Sequence, residues 1–123
     1  MAFFEIWVIL MRKIITLKKN YEFKNVLSKG KFYIGRQIYI YILKNNKNVN
    51  EIGIAVSIKK CGAVQRNKIK RLIRENYRLI KKDLKQGYDI VFLWNKKERA
   101  DEANYYIIKN DMINLLKKSK LLD

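Results

Sequence analysis

Between Lys59 and Lys85 stand eleven basic residues and two acidic ones, Glu75 and Asp83, more than half of a net charge of +17. The chemistry open to such a segment is phosphate recognition rather than bond-making. At about 100° per residue, Ile69, Leu72, Ile73 and Ile80 fall on one arc of a helix. Arg66, Asn67, Lys70, Arg71, Arg74, Arg78 and Lys81 fall on a neighbouring arc, with Tyr77 at the border. An ordinary solvated face intersperses Glu for i,i+4 pairing. This one hardly does, and cations at i, i+4 and i+8 such as Arg66, Lys70 and Arg74 repel one another unless a polyanion lies between them.

A second group of candidates is aromatic: Phe23, Phe32, Tyr33, Tyr39 and Tyr41. Core packing is the ordinary role for each. By strand alternation, however, Tyr39 and Tyr41 share a face with Gln37, a mixed polar and aromatic surface suited to stacking unpaired bases. A basic helix alone also fits the DNA major groove. The aromatic face tips the reading towards RNA.

Composition removes other functions. With no His and a single cysteine, Cys61, neither a His-based triad nor a Cys/His zinc site is available. One cysteine forms no disulfide within the chain, which fits a reducing compartment and a cytoplasmic location. Cys61 follows Lys60 near a helix start, which favours the thiolate, but a small loop residue is its ordinary reading. Asp83, Asp89, Glu98 and Asp101 are scattered without metal-ligand spacing, against a nuclease with its own carboxylate centre. No apolar run reaches transmembrane length. A membrane-surface or calmodulin-type helix would be an isolated amphipathic segment, whereas strand patterns flank this one.

The elements that position these residues follow from periodicity. Asn20 is a candidate cap, Glu22 suits a first turn, Phe23, Val26 and Leu27 give a short apolar face, and Gly30 follows its end. From Lys31 to Leu43 the period becomes two, with Ile38, Ile40 and Ile42 opposite Gln37, Tyr39, Tyr41 and Leu43. Gly35 divides this stretch, which with a strand over 51–58 predicts a three-stranded meander. A helix over 63–84, an apolar strand over 88–94 and a helix over 101–117 complete the order αβββαβα. Tyr105, Ile108, Met112, Leu115 and Leu116 form the core stripe of the last helix. The 123 residues then make one α+β sandwich built on one sheet, with no linker and no internal repeat.

Residues 1–10 are apolar apart from Glu5, and Met11, Arg12 and Lys13 follow them. A signal peptide places its charge before the apolar stretch, so the order is reversed. The expectation is an N-terminal extension, with Met11 a natural start and residues 11–123 the RNA-binding domain.

The run Cys61-Gly62-Ala63-Val64-Gln65-Arg66-Asn67-Lys68-Ile69-Lys70-Arg71-Leu72-Ile73-Arg74-Glu75 resembles the signature of the protein subunit of bacterial ribonuclease P. Leu17-Lys18-Lys19-Asn20-Tyr21-Glu22-Phe23, Arg36-Gln37 and Gly53-Ile54-Ala55-Val56-Ser57 match that family's order, so the resemblance spans about 15–122. It implies a subunit of a ribonucleoprotein endonuclease whose RNA, using magnesium, removes 5′ leaders from precursor tRNA. The implied partners are that catalytic RNA and precursor tRNA, with no membrane and no further protein required. The resemblance assigns Lys59, Arg66, Asn67, Lys68, Lys70, Arg71 and Arg74 to the RNA-facing helix. It assigns Phe23 and Tyr41 to a leader cleft, to which alternation adds Gln37 and Tyr39. No catalytic or metal-ligating side chain is expected from the chain itself.

The sequence departs from the family pattern in places. Lys68 stands where Arg is typical, exchanging a bidentate fork for a point charge. Leu27 stands where the first helix often carries a second aromatic, Cys61-Gly62 replaces Gly-Asn, and Ile58 replaces a frequent Lys. The resemblance also implies a left-handed βαβ crossover, as in the second domain of ribosomal protein S5, where the general rule favours right-handed ones.

Overall fold

The computed structural model describes residues 16–17, 19–56 and 62–123. The expected N-terminal extension over residues 1–10, Lys59, Cys61 and the last two residues of the expected strand 51–58 lie outside the described residues.

Helix α1 (Asn20–Lys29) begins one residue earlier than an Asn20 cap would place it. Lys19 occupies the capping position, and its backbone N–H donates to Glu22 Oε1 at 3.2 Å, so Glu22 satisfies an otherwise orphaned donor. The helix ends where the backbone turns extended at Gly30, a position too crowded for a side chain. Gly30 N–H donates to the Val26 carbonyl at 2.8 Å, and a Cβ at Gly30 would meet that oxygen and the Ile42 carbonyl.

Strands β1 (Lys31–Ile34) and β2 (Ile38–Lys44) form the hairpin that Gly35 divides, followed by β3 (Glu51–Ala55) and β4 (Tyr88–Trp94). The strand order is β1-β2-β4-β3, with β3 parallel to β4 and the other pairs antiparallel. The expected meander is therefore interrupted, because β4 lies between β2 and β3. Its composition explains the insertion. Ile90, Val91 and Phe92 are each 0% exposed, so β4 is covered on both faces and takes the centre.

Helix α2 (Ala63–Ile80) joins the parallel pair, and its end tightens into a 3₁₀ turn at Lys81–Asp83 rather than continuing to residue 84. The last helix, α3 (Tyr105–Lys118), starts four residues later than expected. Asn104 Oδ1 accepts from the N–H groups of Tyr106 and Ile107 at 2.9 and 3.1 Å. That cap sets the boundary, and Ala100–Glu102 form a separate 3₁₀ turn.

The sheet has two unlike faces. Ile38, Ile40, Ile42, Ile52, Ile90, Phe92 and Trp94 pack against Ile69, Ile73 and Tyr77 of α2 and Ile108, Met112, Leu115 and Leu116 of α3. On the other face, Val26 of α1, Leu17 and Val91 form a smaller cluster bordered by Phe23, Tyr41, Leu43 and Leu93. Helix α2 lies over β3 at one edge, α3 over β2, and α1 crosses β2 and β4 on the opposite face.

Candidate nucleic-acid interface

Two transverse rows of residues floor the face that carries α1. Strand register aligns Phe32, Tyr41, Val91 and Gly53 across all four strands, and beside them Ile34, Tyr39, Leu93 and Ala55. Helix α1 covers the middle of the first row, where Val91 is sealed beneath Val26. Phe23 reaches the far end, its ring over Gly53 so closely that a Cβ there would overlap it. The second row is open: Ile34 is exposed, and Tyr39, Leu93 and Ala55 are half-buried.

Three rings gather at the β1–β2 side. Phe32 lies 4.7 Å from Tyr41 at an interplanar angle of 31°, and 5.5 Å from Tyr39 edge-on at 86°. The Tyr39 hydroxyl donates to Asn95 Oδ1 at 3.0 Å. Asn95 in turn donates through Nδ2 to the Arg36 carbonyl at 2.8 Å. The arrangement can stack bases on a partly preorganised surface. Tyr33, the fifth aromatic candidate, points to the other face and joins the main core.

Gln37 leaves this wall. It is 1% exposed; its Nε2 donates to the Glu102 carbonyl at 2.9 Å and its Oε1 accepts from Asn104 N–H at 3.2 Å. The physical reason is that Gln37 precedes β2 and belongs to the turn, where period-two alternation no longer applies. Asp111 of α3 fixes that turn: its Oδ2 accepts from the N–H groups of Gln37 and Ile38 at 2.6 and 3.0 Å. Asp111 and Asn95 are the positioning residues the sequence did not reveal. Both act through contacts more than fifty residues away in sequence, which local pattern does not encode.

On the other side of the β3 edge, α2 presents its cations. Asn67, Lys68, Arg71, Arg74 and Arg78 are exposed, and Arg66 and Lys70 half-buried. Arg71 pairs with Glu75 at 3.8 Å. Among the described residues no carboxylate lies within ion-pairing distance of Arg66, Lys68, Lys70, Arg74 or Arg78. Asn76, on the flank facing α3, donates to the Tyr105 carbonyl at 3.3 Å, so the Lys70–Arg74–Arg78 flank looks away from α3 and towards solvent. Lys68 stands apart, about 160° round the helix from both Arg66 and Lys70. Tyr77, expected at the border, is buried, with its ring 5.9 Å from Phe92. Burial pushes its hydroxyl pKa up to about 12, so it stays neutral. Burial, and then the neighbouring Arg78, lowers the pKa of Lys81.

Two carboxylates meet at one end of the sheet. At the start of β3, Glu51 lies beside Asp89 in register. Burial raises the pKa of Asp89, against the lowering effect of its hydrogen bond from Asn45 Nδ2 at 3.0 Å. Lys47 answers Glu51 at 3.0 Å. Among the described residues no group of three or more His, Cys, Asp or Glu side chains is arranged to hold a metal. None of the described helices is long and apolar enough to cross a membrane.

The family model described as Ribonuclease P matches residues 11–120. The ribonuclease P protein component of Natranaerobius thermophilus is 44% identical over 112 residues, covering 91% of this chain and 96% of that protein. Its counterpart from Clostridium botulinum, strain Loch Maree, is 45% identical over 104 residues, covering 84% and 92%. The solved RNase P protein of Staphylococcus aureus superposes with a TM-score of 0.78 at 33% identity, covering 90% of this chain and 100% of that one. That of Thermotoga maritima superposes at 0.75 and 30% identity, covering 84% and 96%.

Proposed function

Because the chain belongs to the ribonuclease P protein family, the protein component of an endoribonuclease, we propose how its two surfaces divide the work. The α2 flank binds the catalytic RNA of the holoenzyme. The open sheet face binds the unpaired 5′ leader of precursor tRNA. The RNA supplies the hydrolytic centre and its magnesium. The chain's residues bind and orient: Arg66, Lys70, Arg71 and Arg74 neutralise phosphates that would otherwise repel one another, and Asn67 adds polar contacts. Lys59 and Lys68 join them on the family pattern, Lys68 from a separate side of the helix. Phe23, Tyr39 and Tyr41 hold the leader, which offers bases to stack because it has no complementary strand.

The observation that carries this reading is the β3 edge itself. One face of it bears the Phe23 ring over Gly53, and the other lies under α2. An RNA docked on the outer flank of α2 therefore stands beside the entrance to the aromatic face. Leader and catalytic RNA are engaged by surfaces that share one packed core, so binding one precursor geometry costs little further ordering.

The test is reconstitution. A bacterial ribonuclease P RNA cleaves precursor tRNA at low salt and low magnesium, with and without this chain. The reading expects faster cleavage at the mature 5′ end when the chain is present. An unchanged rate, with the chain bound to the RNA, contradicts it.

A further inference from the structure

We infer that Phe32 is a base-stacking residue that extends the leader surface to the outer edge of β1 and takes the nucleotide farthest from α2. The inference rests on the leader reading above.

Phe32 is 44% exposed on an edge strand. With Ile34, 60% exposed two residues along the same face of that strand, it makes an apolar edge patch, a liability for aggregation unless something uses it. Its neighbours give it a second purpose. Tyr41 lies directly opposite in the strand register, and the Phe32 ring tilts against Tyr41 while meeting Tyr39 edge-on. The hydrogen bond from Tyr39 to Asn95 holds the cluster from below. Three rings thus stand in fixed relation, with the Phe32 ring at the solvent side, and little entropy remains to be lost when a base settles on them.

Position across the sheet decides which base. Strands lie about 4.8 Å apart, so a crossing of the sheet from β3 to β1 spans about 14 Å. Helix α2 overlies β3, at the opposite edge from β1. Val26 seals Val91 in the first row, so a leader entering beside α2 and Phe23 crosses by the open second row, over Ala55 and Leu93. It reaches Tyr39 and Tyr41 before Phe32 at the outer edge. The contribution of Phe32 therefore depends on leader length, whereas that of Tyr41 begins with shorter leaders. A ring that merely packed against Tyr41 would show no such dependence.

The experiment measures holoenzyme affinity for mature tRNA and for precursors with leaders of one and about five nucleotides. The variants are Phe32→Leu, which keeps apolar volume and removes the ring, Phe32→Tyr, which keeps the ring, and Tyr41→Ala. Phe32→Leu is expected to weaken binding of the long-leader precursor about tenfold, leaving the one-nucleotide leader and mature tRNA unchanged. Phe32→Tyr should match the wild type. Equal affinities for Phe32→Leu and wild type at every leader length, or equal losses for all three ligands, overturn the inference. If Tyr41→Ala weakens leader binding while Phe32→Leu does not, only Phe32 is displaced from the surface. If neither variant responds to the leader, the leader reading itself falls. Thermal unfolding of free Phe32→Leu should coincide with wild type; a lowered midpoint together with uniform affinity loss assigns Phe32 to packing.

Discussion

The ring of Phe23 rests on the backbone of Gly53, joining α1 to the edge strand β3 at the mouth of the open face. No residue with a Cβ can occupy position 53 without displacing that ring. Gly53→Ala should cost about 1–3 kcal/mol, the usual range for overpacking, and shift Phe23 outwards. Urea denaturation of the free protein measures the cost. An unchanged midpoint would mean that the ring moves aside freely and does not lock the helix.

Asp111 accepts two backbone hydrogen bonds from the turn that precedes β2. Asp111→Ala leaves both donors without their partner and should destabilise the fold by roughly 2–4 kcal/mol. Asp111→Asn, which retains an acceptor, should lose less. Chemical denaturation of both variants checks the order. Equal losses would place the effect in charge rather than in hydrogen bonding.

Burial raises the pKa of Asp89 in the folded state above its unfolded value. The folded protein then binds the proton more tightly, so this group's contribution disfavours folding increasingly as pH rises from about 4 through the folded pKa. Asp89→Asn keeps an acceptor for Asn45 and removes the charge. It should stabilise the protein at neutral pH, with the gain shrinking towards pH 4. A gain independent of pH, or a loss at pH 7, would contradict this account of the residue.

Arg74 is exposed, and among the described residues it has no carboxylate partner. Arg74→Ala should leave the circular dichroism spectrum and unfolding midpoint intact while weakening assembly with the catalytic RNA by about 1–3 kcal/mol. The wild-type log–log salt slope should lie at about −4 to −7, and losing one phosphate contact should reduce its magnitude by roughly 0.7–0.9. A slope unchanged by the substitution would remove Arg74 from the phosphate-binding set.

Much of this was legible in the sequence because it is local. The α2 flank follows from 3.6-residue periodicity and a shortage of Glu, and the positions of Tyr39 and Tyr41 from period two along β2. What escaped is non-local. Gln37 breaks the alternation because a turn, not a strand, sets its direction, and its partners lie on the segment leading into α3. The insertion of β4 between β2 and β3 reflects its double-sided burial, which an apolar run suggests without naming neighbours. Phe32 stood among the aromatic candidates, but its place beside Tyr41 required the register of the hairpin. Tyr77 is buried rather than at the border because a helical wheel gives direction round an axis, not the depth at which the sheet covers it.

In the proposed division of labour this chain supplies the leader-binding surface of its holoenzyme. The direct measurement is affinity for precursor and mature tRNA, by the catalytic RNA alone, by the RNA with wild-type protein, and by the RNA saturated with Tyr41→Ala. Wild-type protein should tighten binding of the precursor far more than that of mature tRNA. Tyr41→Ala should remove part of that difference, about 1–3 kcal/mol if one base loses its stacking partner. Equal tightening of both ligands by wild-type protein, or an undiminished difference with Tyr41→Ala, would contradict the account.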